Sequence, residues 1–261
     1  MNLTRSKKKD LLYVAVAAFF FLTACVLQTV DDYISDWFVK KTIALLTQYI
    51  FFGLLAYWTA SVISRISDKS ICSGIIVAIA LMGVILFVRL LKYHVFYEET
   101  ATRYLWYSYY IPQCIAPVVL LLTILGMGRQ EGRPLSKGWY MLFLPAAMLI
   151  ILVFTNDLHE QVFSFAEGLE YSNKIYKWEW GYYLLILSWM VGLYLSIGVL
   201  LYVKCRISWC RKKAWIPLVL FVTCFILCVL REVFDPSFIR MPEAVVFSVV
   251  IVFESLIRIG F

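Results

Sequence analysis

The densest group of reactive side chains is Asn156–Glu160, which holds an amide, a carboxylate, an imidazole and a second carboxylate. It directly follows the strongly apolar run Met141–Phe154. Asn156 lies three positions before His159 and four before Glu160, so a last helical turn points all three the same way. If this group binds a ligand, we expect a polar one, recognised by charge and hydrogen bonds. The alternative is structural, because Asn and Asp side chains commonly bond unpaired backbone groups near a helix end.

The histidine and cysteine spacings do not match a metal site. No second histidine follows His159-Glu160 at the spacing of a zinc-protease helix. Cys205-x4-Cys210 lacks the second pair of ligands that a zinc site needs. An enzyme inside the membrane would also need a buried histidine or paired carboxylates, and the predicted spans contain neither. We therefore predict no catalysis, no metal and no cofactor.

The composition is that of an integral membrane protein. Of the 261 residues, 62% are hydrophobic and 16% are charged, and the mean hydropathy is +0.82. This fraction of charged residues is too small to cover the surface of a soluble domain. The net charge of +7 comes from residues at the ends of apolar runs, which indicates membrane topology rather than nucleic-acid binding.

The expected fold is an all-α polytopic bundle of about eight spans, a seven-helix core plus an N-terminal helix. The predicted spans are Leu11–Val30, Thr42–Ile63, Ile71–Leu91, Arg103–Met127, Trp139–Thr155, Gly181–Val203, Ala214–Leu230 and Ala244–Ile259.

The chain divides into an N-terminal transmembrane helix or leader, 1–30, and a seven-helix membrane bundle, 31–261. Leu22-Thr23-Ala24-Cys25 is spelled like the lipobox at which bacterial lipoproteins are cleaved. The apolar run continues past Cys25 to Val30, which favours a retained helix over a cleaved signal. None of the seven cysteines falls in an outward loop, so we expect no disulfides.

The distribution of basic residues predicts the orientation. With the N-terminus inside, 15 of the 24 Lys and Arg residues lie in inner segments. The positive-inside rule therefore places both termini in the cytoplasm of a multi-pass cell-membrane protein.

In this topology the outer helix ends form a polar mouth that we predict to bind a ligand. Arg103, Trp106 and Tyr107 could instead be interfacial anchors. The candidate ligand-binding residues are Arg103, Trp106, Tyr107, Asn156, Asp157, His159 and Arg231.

Glu254 lies well inside the last span, and Arg258 is one turn later and in position to pair with it. The pair either anchors the helix end at the inner interface or relays a rearrangement of the bundle to what lies beyond it. Gln48 and Gln113 are predicted to bond between helices rather than to a ligand.

Three segments resemble, in order and separation, the N-terminal seven-transmembrane region of bacterial histidine kinases in its Firmicutes form. The resemblance covers Tyr93 to Phe261 and is most specific at Asn156-Asp157-Leu158-His159. The three segments are Arg103-Tyr104-Leu105-Trp106-Tyr107 with Tyr110-Ile111-Pro112, Thr155–His159 with Val162-Phe163, and Phe253-Glu254-Ser255 with Ile259-Gly260.

The resemblance implies a membrane-embedded sensor that feeds a cytoplasmic kinase, with Arg103, Trp106, Asn156, Asp157, His159 and Glu254 as its matching residues. No phosphoacceptor-histidine helix and no Gly-rich ATP-binding lobe follow the last span, so we expect no kinase activity from this chain. Eight spans also exceed seven, so the first helix is expected to be an addition or a cleaved leader.

We therefore predict a sensor or receptor module that binds a ligand at its outer face and relays through its last helix. The implied partners are the lipid bilayer, a small ligand of unknown identity, a cytoplasmic kinase domain or partner protein, and a second copy in a homodimer. The alternative is a transporter or accessory membrane subunit, which needs a continuous polar path through the bundle.

Overall fold

The computed structural model describes residues 2–66, 68–127, 135–165, 176–207, 215–234 and 240–259. A 3-10 segment, Lys137–Leu142, leads into α6, and a π-helical segment, Tyr182–Leu187, leads into α8. The helices are α1 (Asn2–Tyr33), α2 (Trp37–Arg65), α3 (Lys69–His94), α4 (Glu99–Ser108), α5 (Tyr110–Gly126), α6 (Phe143–Phe154), α7 (Asn156–His159), α8 (Ser188–Ile207), α9 (Trp215–Phe234) and α10 (Met241–Ile259).

The predicted multi-pass helical bundle is confirmed at this level of description. Six helical segments among the described residues are long and apolar enough to cross a membrane. The apolar part of α9, Trp215–Cys228, is shorter, and α10 carries Glu243, Glu254 and Arg258. The count of eight spans, the division at residue 30 and the orientation of the termini stay predictions.

The element boundaries differ from the predicted ones where capping side chains or prolines decide. α2 begins at Trp37 because the Asp36 carboxylate accepts a hydrogen bond of 2.9 Å from the Val39 N–H. The fourth predicted span is two helices, α4 and α5, separated at Tyr109. Pro112 lies in the first turn of α5, where a missing N–H leaves no helical hydrogen bond unmade.

The core of the bundle forms around α5, which packs against α3, α6 and α8. Most of its side chains are buried, whereas α1, α2, α8 and α9 expose large apolar side chains along their lengths. α3 approaches α5 closely at Gly74, where an added Cβ would overlap the hydroxyl of Thr123. A residue without a side chain therefore sets the spacing of these two helices.

A short antiparallel hairpin covers one end of the bundle and was not predicted. Its strands are β1 (Phe163–Phe165) and β2 (Tyr176–Trp178), with Phe163 opposite Trp178. We call this end of the bundle the hairpin end. The opposite end, where α10 meets the last turn of α2, is called the Glu254 end. The predicted topology places the hairpin end outside the cell.

A second, smaller core holds the hairpin on the helices. Its fully buried members include Tyr107, Val153 and Phe163. The centre of the Trp106 ring lies 4.5 Å from the ring centre of Phe163 and 4.7 Å from that of Tyr176. Aromatic packing therefore fixes both strands against α4.

Candidate functional site

Four of the predicted site residues meet at the hairpin end. The Tyr107 hydroxyl donates a hydrogen bond of 2.7 Å to the Asp157 carboxylate, and Arg103 forms an ion pair of 3.1 Å with the same group. The Asn156 amide donates to the Tyr107 oxygen at 3.3 Å. These side chains satisfy one another across the contact between α4 and α7.

Asn156 is fully buried and binds the backbone of the hairpin. Its Oδ1 accepts hydrogen bonds of 3.0 Å from the N–H groups of both Val162 and Phe163, and its Nδ2 donates to the Phe163 carbonyl at 2.9 Å. Both polar atoms of the amide are thus used within the protein. A ligand could reach Asn156 only by displacing these contacts, so in this structure the residue holds the chain reversal after α7.

His159 takes part in the same reversal. Its Nδ1 accepts a hydrogen bond of 3.0 Å from the Gln161 N–H, which places the proton of the neutral ring on Nε2. Nε2 lies 3.3 Å from the Thr155 hydroxyl oxygen. Glu160 between them adopts a left-handed conformation, φ 48°, which turns the chain back.

The remaining predicted residues have separate places. The Trp106 ring packs under the hairpin against Phe163 and Tyr176. Arg231 belongs to α9, but its side chain lies outside the described ones. Arg103 and Asp157 keep side-chain exposures of 29% and 22%, so this ion pair is partly accessible to solvent.

The structure reveals a large cavity inside the bundle that the sequence did not indicate. Its volume is about 650 Å³, which falls in the range of small-molecule binding sites. α5 and α10 line it on two sides, with contributions from α3, α8 and α9. On the α10 side the wall consists of one helical face, Pro242, Val245, Ser248, Val249, Val252 and Phe253.

The cavity is basic at the hairpin end and apolar beyond it. Arg89, Lys92 and Arg240 line its first part, where Tyr176 and Trp178 of β2 also contribute. Further along α5 the wall changes to side chains such as Leu120 and Ile124. Gln113 contributes a polar group partway along, and no hydrogen bond of its side chain joins it to another described residue.

Carboxylates behind the wall hold two of these cations. Arg89 of α3 and Glu243 of α10 form an ion pair whose side chains are 8% and 0% exposed. Arg240 forms an ion pair of 3.2 Å with Asp31 of α1. Lys92 is buried, with its ammonium 5.3 Å and 6.0 Å from the ring centres of Tyr93 and Tyr109. Three helices are thus tied together around the basic part of the cavity.

The other end of α10 forms a second polar cluster. Arg65 of α2 donates two hydrogen bonds to the Glu254 carboxylate, of 2.9 Å and 2.6 Å. The Trp58 indole N–H donates a third, of 3.0 Å. Arg258 forms the ion pair predicted from its spacing, at 2.7 Å. Glu254 therefore joins α10 to α2, a contact that the sequence did not reveal, and its role as a relay stays a prediction.

The cavity residues had a weak signal in the sequence. Arg89 lies inside the predicted span Ile71–Leu91, Lys92 directly follows that span, and Glu243 directly precedes the last one. Ionisable residues within apolar spans often mark functional sites, so Arg89 could have been proposed as a site residue from the sequence. Which of these residues share a cavity depends on the packing of α3 against α10, and the sequence of either segment alone does not predict that packing.

Together, the fold and the site define a multi-pass helical membrane protein with a ligand-sized cavity inside its bundle. Comparison of the chain with protein-family models, curated proteins and solved structures found no match. The resemblance to histidine-kinase sensor regions therefore stays a prediction, and the geometry of the bundle carries the functional argument.

Proposed function

We propose that the chain is a membrane receptor module in which occupancy of the cavity repositions α10. The observation that carries this proposal is the course of α10 itself. One face of this helix lines the cavity from Pro242 to Phe253, and the next residue, Glu254, is bonded to α2. A ligand in the cavity and the contact at the Glu254 end thus act on one rigid element.

The two ends of α10 are held by ion pairs with different partners. Glu243 pairs with Arg89 of α3 at the hairpin end, and Glu254 pairs with Arg65 of α2 at the other end. A ligand shifts such a helix only if it binds one of two arrangements more tightly than the other. The proposed ligand makes this difference by contacting the face of α10 along the cavity.

The proposal includes the direction of the signal. The hairpin end faces the outside of the cell membrane, both termini are cytoplasmic, and the Glu254 end acts on a cytoplasmic kinase domain or partner protein. The predicted outer residues Arg103, Asn156, Asp157 and His159 then support the site indirectly, because they hold the hairpin whose Tyr176 and Trp178 line the cavity. The wall changes to apolar side chains toward the Glu254 end, which supports a receptor over the transporter alternative.

The experiment fills the cavity without any ligand. Ala116 lines it on α5, and Ala116→Phe places a ring where a ligand would lie. The matched control is Ala80→Phe, because Ala80 on α3 is exposed on the outside of the bundle. Spin labels on ketone-bearing amino acids at Ser64 and Ile251 report the distance between α2 and α10 and leave the cysteines unchanged.

We expect the distance distribution to shift in Ala116→Phe and to stay as in the parent chain in Ala80→Phe. Folding is checked by monodispersity and thermal unfolding of each variant. Equal distributions in a folded Ala116→Phe variant and in the parent would contradict the proposal. Val249→Phe, on α10, serves as the second filling variant if Ala116→Phe does not fold.

A further inference from the structure

Two glutamines inside the bundle have different surroundings. The Gln48 amide donates a hydrogen bond of 2.9 Å to the Leu86 carbonyl, which joins α2 to α3. Gln113 lines the cavity instead, and its side chain makes no hydrogen bond to another residue in the described part of the chain. Polar groups are costly in apolar surroundings unless they are hydrogen-bonded. Gln113 therefore presents to the cavity an amide that the described residues leave without a partner.

A second such group is the hydroxyl of Tyr194 on α8. Tyr194 lines the cavity, and its ring centre lies 6.4 Å from the ring centres of both Phe221 and Phe225. No hydrogen bond joins its hydroxyl to another described residue. The amide of Gln113 and this hydroxyl are both uncharged, and each is able to donate a hydrogen bond to an oxygen atom of a ligand.

The cations of the wall have partners within the protein. Arg89 is paired with Glu243, and Arg240 is paired with Asp31. The Lys92 ammonium lies 5.3 Å and 6.0 Å from the centres of two aromatic rings. An anion in the cavity would compete with the two carboxylates for the arginines, whereas a neutral ligand leaves both ion pairs made. The electrostatics of the wall thus favour an uncharged ligand.

The shape-determining side chains of the wall are aromatic at the hairpin end and aliphatic further along α5. From Pro112 to Ile124 the wall follows α5 for about 18 Å, at ~1.5 Å per residue. Aromatic side chains favour a planar ring as their partner, and an aliphatic surface favours a hydrocarbon chain. The aromatic members at the hairpin end are Trp106, Tyr109, Tyr110, Tyr176, Trp178 and Tyr182.

We propose that the cavity binds a neutral lipid with a planar, carbonyl-bearing head and a hydrocarbon chain, which is the chemistry of an isoprenoid quinone. One carbonyl oxygen accepts a hydrogen bond from Gln113, which lies one helical turn beyond Tyr109 and so beside the aromatic part of the wall. Tyr194 donates to the second carbonyl, and the chain lies between α5 and α10. This ligand class rests on the proposed receptor function, because it names what occupies the cavity.

The first arm of the test compares three competitors that share a decyl chain. The full chain is reconstituted in nanodiscs of phosphatidylcholine with a photoactivatable decylnaphthoquinone, and the competitors are decylnaphthoquinone, decylnaphthalene and undecanoic acid. We expect the probe to crosslink to the α5 and α10 walls. The quinone should compete about fivefold to tenfold more strongly than the naphthalene, because its oxygens accept hydrogen bonds. Equal competition by these two, stronger competition by the acid, or crosslinks only on the outer surface of the bundle would overturn the proposal.

The second arm removes the two glutamine amides in turn. Gln113→Leu removes the amide that lines the cavity, and the matched control Gln48→Leu removes the amide that binds the Leu86 carbonyl. We expect affinity for the quinone to fall about fivefold in Gln113→Leu and by less than about twofold in Gln48→Leu, with affinity for the naphthalene unchanged in both. Equal losses of quinone affinity in the two variants would overturn the proposal.

Thermal unfolding of the same two variants should show the opposite order. Gln48→Leu breaks a hydrogen bond between helices, whereas Gln113→Leu breaks none to the described residues. If Gln113→Leu does not fold, Tyr194→Phe is the second variant, because it removes the hydroxyl and keeps the ring. It should lower affinity for the quinone about threefold and leave affinity for the naphthalene unchanged. Unchanged quinone affinity in this variant would also contradict the proposal.

The third arm identifies the source of the ligand. Lipid extracted from the purified chain is analysed by mass spectrometry. Co-purified isoprenoid quinone indicates a ligand from the membrane, and tight binding of the added quinone without a co-purified one indicates a ligand from outside. A co-purified anionic lipid that displaces the photoprobe would overturn the proposed chemistry.

The spin-label distances separate this inference from the receptor proposal. If the quinone binds as expected but the distance between Ser64 and Ile251 does not change, the ligand class stands and the receptor function fails. If Ala116→Phe shifts that distance but the quinone binds no better than the naphthalene, the receptor function stands and the ligand class fails.

Discussion

Arg89 of α3 and Glu243 of α10 form an ion pair that is almost completely withdrawn from solvent, at 8% and 0% side-chain exposure. Buried charges are costly unless they are paired, so the two residues depend on each other. The pair also fixes where α10 begins relative to α3, directly beside the basic end of the cavity.

Removing one partner of this pair is expected to be more damaging than removing both. Arg89→Met leaves the Glu243 carboxylate buried without its partner and should lower the free energy of unfolding by about 3–5 kcal/mol. The double variant Arg89→Met/Glu243→Leu should recover at least half of that loss. Reversible unfolding in detergent micelles measures both, and a double variant no more stable than the single one would refute the dependence.

Asn156 is expected to stabilise the hairpin rather than to contact a ligand directly. Asn156→Ala leaves the N–H groups of Val162 and Phe163 without an acceptor, at a cost of about 1–3 kcal/mol for each buried group. Hydrogen exchange of these two amides should accelerate. The control is Leu158→Ala, since the Leu158 side chain is exposed and its loss should change stability by about 0.5 kcal/mol or less.

Arg65 and Arg258, which both bind Glu254, are expected to differ in how much they stabilise the bundle. Arg65 makes two hydrogen bonds to Glu254 across helices, so Arg65→Ala should destabilise the contact between α2 and α10 by about 1–2 kcal/mol. Arg258→Ala removes only an exposed pair within α10 and should cost about 0.5 kcal/mol. Unfolding free energies and the width of the Ser64–Ile251 distance distribution measure the difference. Equal effects would show that the bidentate contact has no special weight.

Gly74 is expected to tolerate no side chain. Gly74→Ala places a methyl group against the Thr123 hydroxyl between α3 and α5, which should destabilise the bundle by about 1–3 kcal/mol. Gly53→Ala is the matched control, because nothing lies within 4 Å of the added atom and alanine is the better helix former. Thermal unfolding should fall for the first variant and stay level or rise for the second. Partial rescue of Gly74→Ala by Thr123→Ala would identify the contact.

Much of the helical architecture could be predicted from hydropathy. Apolar runs long enough to cross a bilayer must form helices there, because only a helix or a closed barrel satisfies its own backbone in lipid. The break at Tyr109 and the β1–β2 hairpin could not be predicted in the same way. The hairpin strands are three residues each and depend on aromatic packing against Trp106 rather than on a local pattern.

The polar cluster at the hairpin end could be predicted as a group, but the contacts of its side chains could not. The sequence indicated that Arg103, Asn156, Asp157 and His159 would gather at one end of the bundle, and they do. Whether their polar atoms face solvent or one another depends on the path of the chain after α7. That path brings the N–H groups of Val162 and Phe163 to the Asn156 side chain, whose Oδ1 accepts a hydrogen bond from each.

By itself the sequence determined that this is a helical membrane protein, where most helices run, and that Glu254 and Arg258 pair within one turn. These properties follow from local composition and spacing. Only the tertiary structure decided that Arg89 meets Glu243, that Arg65 meets Glu254, and that α5 and α10 line a common cavity. Contacts between distant segments depend on how whole helices pack. The residue type at one position therefore does not predict which distant side chain it will contact.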